Sequence, residues 1–498
     1  MDELTELSAT KLAALIRACN LSPVEVVNAY LHRVEQFNAK LNAVVTVAPD
    51  ALDRAREAEA AVMRGGQLGP LLGVPVTIKD TIDTRGLRTS YGSRLYANHV
   101  PETDANAVSL LRQEGAIIFG KTNTSEFAMA LDTDNPVFGQ TNNPHELNHT
   151  PGGSSGGEAA AISACLSAAG IGSDLSGSIR VPAHCCGVVG LKPTVGRVPS
   201  GGHQPPVVGA LASGASIGPL ARRVEDLALL YEVLTANDAH ARPLHQSSSG
   251  PESYVQNLRG LRVAWYTDDG VVPVTTETER AVEAAVRALE DAGLVSIAAR
   301  PPGVERGPAL WFALFARAAT EFLDMTYDGR EREAGAVVGQ MLTSNKSSMQ
   351  TSTKQALTNE PLRHTSTPTP TAEYAAALDE RAELRARLIE WMNETPLIVA
   401  PVGATSATRH DARRIEIKGQ SFGTFRAYGY AQTFNVFGFP SVCVPAGQSS
   451  DGLPIGVQIV ARPDAEHVAL DAARVVEEAL GGWQRPRRFC SQAIDNPL

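Results

Sequence analysis

Residues 150–194 read TPGGSSGGEAAAISACLSAAGIGSDLSGSIRVPAHCCGVVGLKPT, two glycine-serine loops joined by an alanine-rich segment. The first loop, Gly152 to Gly157, carries Ser154 and Ser155; the second, Ser173 to Arg180, carries Ser176 and Ser178. Between them Glu158 to Ala169 holds no proline and many strong helix formers, which predicts a helix. Two loops joined by one helix can fold back until their serines face each other. Glycine tolerates positive φ and brings no side chain, so backbone N–H groups can approach a ligand. Hydroxyls beside such N–H groups are the parts that acyl transfer needs, a nucleophile and an oxyanion hole.

The run continues through Ser178-Ile179-Arg180-Val181-Pro182-Ala183 and Cys186 to Thr194, with Ser154 and Ser178 24 residues apart. In these residues and this spacing it closely resembles the signature of the amidase signature family, serine hydrolases with a Ser-cisSer-Lys triad. The resemblance covers most of the chain, most weakly over 240–395. It implies an α/β fold, a single large domain over 1–498 with a central mixed β-sheet covered by helices on both faces. It implies Ser178 as nucleophile, Ser154 as a bridging serine beside a cis peptide bond, and Lys79 as general base. The N–H groups of Leu175, Ser176, Gly177 and Ser178 would form the oxyanion hole, and Ser155 would orient the lysine. Asp174 and Arg180 are expected to tie loops together. The family's substrate channel is bordered by the segment that here carries Phe127, Met129 and Phe138, although such residues more often belong to a core. No metal and no organic cofactor is implied. Ser176 stands where the family usually has Gly or Ala, which would narrow the acyl site or add one hydrogen bond.

Working outward, Leu72 to Ile78 is a short apolar run rich in β-branched residues, hence a predicted strand, and it ends in Lys79-Asp80. A lysine at a strand end is ordinarily solvated; only its joint occurrence with the two serine loops turns Lys79 into a catalytic candidate. As a base it must be neutral, against an ordinary value of about 10.4, and burial would lower it. Activity is then expected to climb into the alkaline range.

Two motifs mislead. Gly115 to Thr122, GAIIFGKT, fits the phosphate-loop pattern GxxxxGK[ST], but its four variable positions are themselves a predicted strand, whose N–H groups belong to a sheet. Gly152-Gly153-Ser154-Ser155-Gly156 fits the GxSxG nucleophile elbow, yet an elbow follows directly on an apolar strand and residues 142–149 are a polar loop. His145, His149, His184 and His203 are accordingly expected to be loop or hydrogen-bonded structural histidines.

The chain has 498 residues, 43% hydrophobic and 20% charged, with a formal charge of −10. That balance argues against a general nucleic-acid surface. No apolar run reaches the eighteen or so residues of a membrane span, and the acidic Met1-Asp2-Glu3-Leu4 does not resemble a leader. Six cysteines, Cys185 and Cys186 adjacent, give neither a disulfide framework nor CxxC metal spacing, so a cytoplasmic setting is expected. Helices are predicted over 1–70, with Ser22-Pro23 as a start signal. The catalytic core is expected over 71–235, a variable region over 236–395, and C-terminal strands and a helix over 396–498. Within the variable region 236–256 is expected as a surface loop, and the Ser/Thr/Pro-rich 344–371 as a lid or a plain connection. Strands are predicted at 261–265, 294–299, 397–401, 441–445 and 455–460, and residues 217–222 lead into a predicted helix that runs through Leu234.

The expected function is hydrolysis of a carboxylic amide, with esters or carbamates as further substrates. The expected partner is a small molecule, with no nucleic acid and no membrane, and the expected state is a monomer or homodimer. The alternatives are a glutamine-dependent aminoacyl-tRNA amidotransferase A-type subunit or a carbamate hydrolase. That subunit usually reads SIRQPA, where this chain has Val181 after the arginine.

Overall fold

Ser22 starts the first long helix. Its hydroxyl accepts from the N–H groups of Val24 and Glu25, and the Glu25 carboxylate accepts from the Ser22 N–H, closing a capping box on Pro23–Leu41. The computed structural model describes residues 2–66, 68–236, 251–344 and 370–489. Tyr30, Val34 and Phe37 of this helix join the main core.

The apolar runs form one mixed sheet. In chain order its strands are β1 (Val44–Val47), β2 (Pro75–Lys79), β3 (Ile117–Thr122), β4 (Ala169–Asp174), β5 (Val189–Lys192), β6 (Ser216–Ala221), β7 (Arg262–Trp265), β8 (Val295–Ala298) and β9 (Leu397–Pro401). The strands β10 (Arg414–Ile417) and β11 (Gln420–Gly423) form a separate hairpin, and β12 (Ser441–Gln448) and β13 (Pro454–Ala461) complete the large sheet. Its order is β1-β3-β2-β4-β6-β5-β12-β13-β9-β7-β8. The trios β3-β2-β4 and β9-β7-β8 are parallel, and every other pairing is antiparallel. Helices flank it, among them Thr276–Asp291 and Glu466–Leu480, both packed on β12. This is the expected α/β architecture.

Several strands were not expected: β1 interrupts the helices expected over 1–70, the hairpin β10–β11 had no predicted counterpart, and β4, β5 and β6 lie within or beside the signature stretch. The helix after the first serine loop is Gly156–Ser163, not a run to Ala169, because the chain turns at Cys165 (φ 60°) and enters β4. Ser173 therefore lies in a strand, not in a turn. β5 and β6 were likewise hidden: they are short, contain glycine and are buried along their length, so no alternation marks them. The helix expected to follow 217–222 is Val224–Leu234, and the lead-in itself is β6. Of the loop expected at 236–256, residues 251–256 lie in the helix Pro251–Leu258, and 237–250 lie outside the described residues. The lid expected at 344–371 also lies outside them, apart from its ends. No helix among the described residues is long and apolar enough to cross a membrane.

β4 can sit beside β2 only because of Gly170. A Cβ there would lie 2.5 Å from the Thr77 carbonyl oxygen and 2.0 Å from Glu158 Oε1. Gly170→Ala should cost about 1–3 kcal/mol through overpacking. The check is urea unfolding, where the midpoint should fall with an unchanged slope; an unchanged midpoint would refute so tight a β2–β4 contact.

Candidate active site

Lys79 ends β2, whose five residues are all buried, and β4 runs parallel beside it with Ile78 opposite Ile171. The lysine is thereby carried to the level of Ser173. Lys79 Nζ lies 2.6 Å from Ser154 Oγ and 3.0 Å from Ser173 Oγ, and no part of Lys79 reaches solvent. Burial pushes the ammonium down to about 7, against the opposing pull of Asp174 and Glu158. Desolvation disfavours the charged form, so near neutrality a large fraction of Lys79 is free amine.

Ser154 follows a cis peptide bond from Gly153. Position 153 must be glycine, since a Cβ would lie 2.5 Å from the Asp132 carbonyl oxygen and 2.6 Å from the Asp132 nitrogen. Thr133 fastens the loop: its hydroxyl donates to the Gly152 carbonyl (2.9 Å) and accepts from the Gly156 N–H (3.0 Å). The second loop is fastened to the first by the Ser155 N–H, which donates to the Ser178 carbonyl at 3.2 Å. Ser154, Ser173 and Ser178 all line one cavity of about 60 Å³.

The turn from Asp174 to Ser178 is built on a buried carboxylate. Asp174 accepts from the N–H groups of Gly177 (2.8 Å) and Ile179 (3.1 Å) and from Arg180 Nε and Nη2 (both 3.0 Å). Burial would raise this carboxyl; the Arg180 guanidinium overrides it and holds Asp174 well below the usual carboxylate range. Arg180 also donates to Gln458 Oε1 (2.8 Å) and Asn435 Oδ1 (2.6 Å), so the pair does tie loops together.

Several expected placements change. Because Asp174 takes the Gly177 N–H, that group is not aimed at a substrate; among the described residues no protein acceptor takes those of Leu175, Ser176 or Ser178. Ser155 does not touch Lys79; its hydroxyl donates to the Ser173 carbonyl at 3.4 Å, and the hydroxyl that meets the lysine is Ser173. Ser176 is not among the residues that line the cavity; its hydroxyl accepts from Gln432 Nε2 at 3.0 Å, so of the two expected effects it adds a hydrogen bond. Phe127 and Met129 line the cavity. Phe138 does not; its ring lies under the Arg88 guanidinium, 4.7 Å away.

The misleading motifs resolve on the same grounds. Residues 117–122 are β3, and Lys121 is buried against the Ile82 carbonyl and the hydroxyls of Thr84 and Thr89. His145 and His184 bond backbone carbonyls, and neither meets Ser154, Ser173 or Ser178. His203 is the exception in position, since it forms part of the cavity wall. Sequence reading missed Ser173 and the placement of His203; the one signal to be had was Ser173 directly before Asp174 in the quoted stretch.

A family model described as Amidase matches residues 25–470. The A-type subunit of the glutamyl-tRNA(Gln) amidotransferase of Carboxydothermus hydrogenoformans is 33% identical over 489 residues, 96% of this chain and 98% of that protein. Two similar solved structures are each 28% identical. One is from a vestigial protein complex bearing on the evolutionary origins of an s-triazine catabolic enzyme, with a TM-score of 0.82 over 96% of this chain and 100% of that one. The other is 6-aminohexanoate cyclic dimer hydrolase complexed with substrate, at 0.79 over 98% and 100%.

A base that works as a free amine makes kcat/KM rise with pH through about 7 and level off above it, a narrower climb than the sequence led us to expect. Burial lowers His203 to about 4, out of that range. Glu158, which accepts from the hydroxyls of Thr77 and Thr122, is raised by burial to about 7 and must be separated. Glu158→Gln removes a carboxylate that favours the ammonium, so its rising limb should survive with a lower midpoint. Lys79→Ala should abolish the limb. A wild-type profile flat from pH 5.5 to 8.5 would eliminate the lysine.

Proposed function

The chain belongs to the amidase signature family, and from that premise we propose that it cleaves a carboxylic amide through an acyl-enzyme on Ser178. The observation that carries this reading is the buried Lys79 Nζ, 2.6 Å from Ser154 Oγ. Neutral Lys79 takes the Ser154 proton while Ser154 takes that of Ser178. Ser178 Oγ attacks the carbonyl carbon, and the oxyanion meets the N–H groups of Leu175, Ser176 and Ser178. Each such donor lowers the barrier by roughly 3 kcal/mol. The proton held on Lys79 returns through Ser154 to the amine, the C–N bond breaks, and water then releases the acid by the same relay in reverse order.

For the substrate, the curated relatives support the amidotransferase A-type role better than the free-standing amidase expected from sequence. In that role the amide is glutamine, and the ammonia passes to a partner protein. Two observations favour the free-standing reading instead. The cavity wall is mostly apolar, with Phe127, Met129, Leu175, Leu211 and Ile217, and among the described residues no lysine or arginine lines it to meet a carboxylate. Val181 in place of the glutamine usual in the amidotransferase points the same way.

A fluorophosphonate probe should label Ser178, and Ser178→Ala should lower turnover at least a thousandfold with the fold retained. An adduct on Ser154 would overturn the assignment. Ammonia release from glutamine that needs copurified partner proteins would establish the amidotransferase role. Hydrolysis of alkyl or aryl amides by the chain alone, with glutamine inert, would establish the free-standing hydrolase.

A further inference from the structure

The loop that carries His203 is strapped to the end of the lysine strand. The Asp83 N–H donates to the Gly202 carbonyl (2.8 Å), and the Gln204 N–H donates to the Thr81 carbonyl (2.9 Å). His203 is thereby placed against Ser173, with Nε2 2.8 Å from Ser173 Oγ and 3.2 Å from Thr81 Oγ1. Its other ring nitrogen, Nδ1, lies 2.9 Å from the Pro205 carbonyl oxygen. A carbonyl only accepts, so Nδ1 carries the hydrogen. Burial keeps the imidazole neutral at working pH, at about 4. Nε2 is then an acceptor with a single lone pair, and Ser173 is the nearer of its two donors.

With that lone pair taken by Ser173, at 2.8 Å against 3.2 Å for Thr81, the directions of the remaining hydrogen bonds follow. Ser173 gives its hydrogen to His203 and so can only accept from Lys79, 3.0 Å away. A neutral amine has two hydrogens and one lone pair. With one hydrogen directed to Ser173, the lone pair is left for the hydroxyl at 2.6 Å, which is Ser154. Without an acceptor at position 203, the Ser173 hydrogen is free to turn onto the same lone pair and compete with Ser154.

We propose that His203 is a positioning residue that acts through Ser173 to keep the Lys79 lone pair on Ser154. The inference rests on Lys79 acting as the base, as in the proposed function, and it adds a polarity that the three triad residues alone do not possess. It also explains why a histidine in the cavity wall is no nucleophile's partner: its only acceptor is taken by Ser173.

The test compares His203→Phe, which keeps a ring but has no acceptor, with His203→Gln, whose amide oxygen can accept. Each is made in the wild-type chain and in Ser173→Ala, and each is read by the rate of fluorophosphonate labelling at Ser178 and by kcat/KM on an amide. His203→Phe should lower both by roughly ten- to a hundredfold, mainly in kcat, and His203→Gln should restore most of the loss. In Ser173→Ala, which removes one oxygen and should itself lower both rates by a similar factor, His203→Phe should add nothing. Equal losses with Phe and Gln, a Phe loss that persists in Ser173→Ala, or no loss in any variant would each overturn the proposal. Should His203→Phe fail to fold, Ser173→Ala at wild-type rate is sufficient to overturn it. Failure of the triad itself is separately visible, as Lys79→Ala retaining amide turnover.

Discussion

A single carboxylate holds the serine loops in register. Asp174 is buried to 1% exposure, and its two oxygens gather backbone donors from Gly177 and Ile179, the Arg180 fork, and Asn435 Nδ2 at 2.9 Å. Removing such a pair from water is expensive, and only saturation of its hydrogen-bonding capacity makes it tolerable. Here that saturation is also what shapes the turn. Bending the backbone of 174–180 around one point leaves the neighbouring N–H groups of Leu175, Ser176 and Ser178 outside the shell of Asp174. Loss of either partner would strand a buried charge, typically a matter of about 3–5 kcal/mol. The freedom of these three N–H groups and the stability of the sheet end therefore rest on the same piece of electrostatics.

Three buried lysines show why only one suits proton transfer. Around Lys121 the hydroxyls of Thr84 and Thr89 send their own hydrogens to the carbonyls of Ile82 and Leu87, so they offer the amine lone pairs alone. Lys192 meets the Pro193 carbonyl, again purely an acceptor. Both surroundings suit an ammonium. Lys79 meets two serines instead, and among the described residues Ser154 has no other partner for its hydrogen. Burial lowers all three, Lys79 and Lys192 to about 7 and Lys121 to about 8, so depth does not distinguish them. The polarity of the neighbours does.

How much of this could be read from the residues depended on how local each signal is. The Ser22-Pro23 cap and the β-branched runs of β2, β9, β12 and β13 depend on neighbours in sequence, and they were legible. The motif placed Lys79, Ser154 and Ser178 around one site because its spacing repeats a known arrangement. Glycine-bearing strands such as β4 and β6 lack an alternating face and were missed. Ser155 and Phe138 were misassigned because direction is set by packing partners far along the chain. Ser173 and His203 meet across 30 residues by way of a backbone strap at 81–83, which no local pattern announces.

The shell around Asp174 also has a consequence for biosynthesis. Arg180 is fixed by Asn435, 255 residues later, and by Gln458, 278 residues later. Domains fold as they emerge, N-terminal parts first, but contacts of this sequence separation close last. The signature stretch leaves the ribosome long before β13 exists, when Arg180 can meet Asp174 but neither Asn435 nor Gln458. A growing or truncated chain thus lacks the two distant acceptors that complete the shell around the Asp174–Arg180 pair. Completion of this shell therefore waits on the last part of the polypeptide to be made.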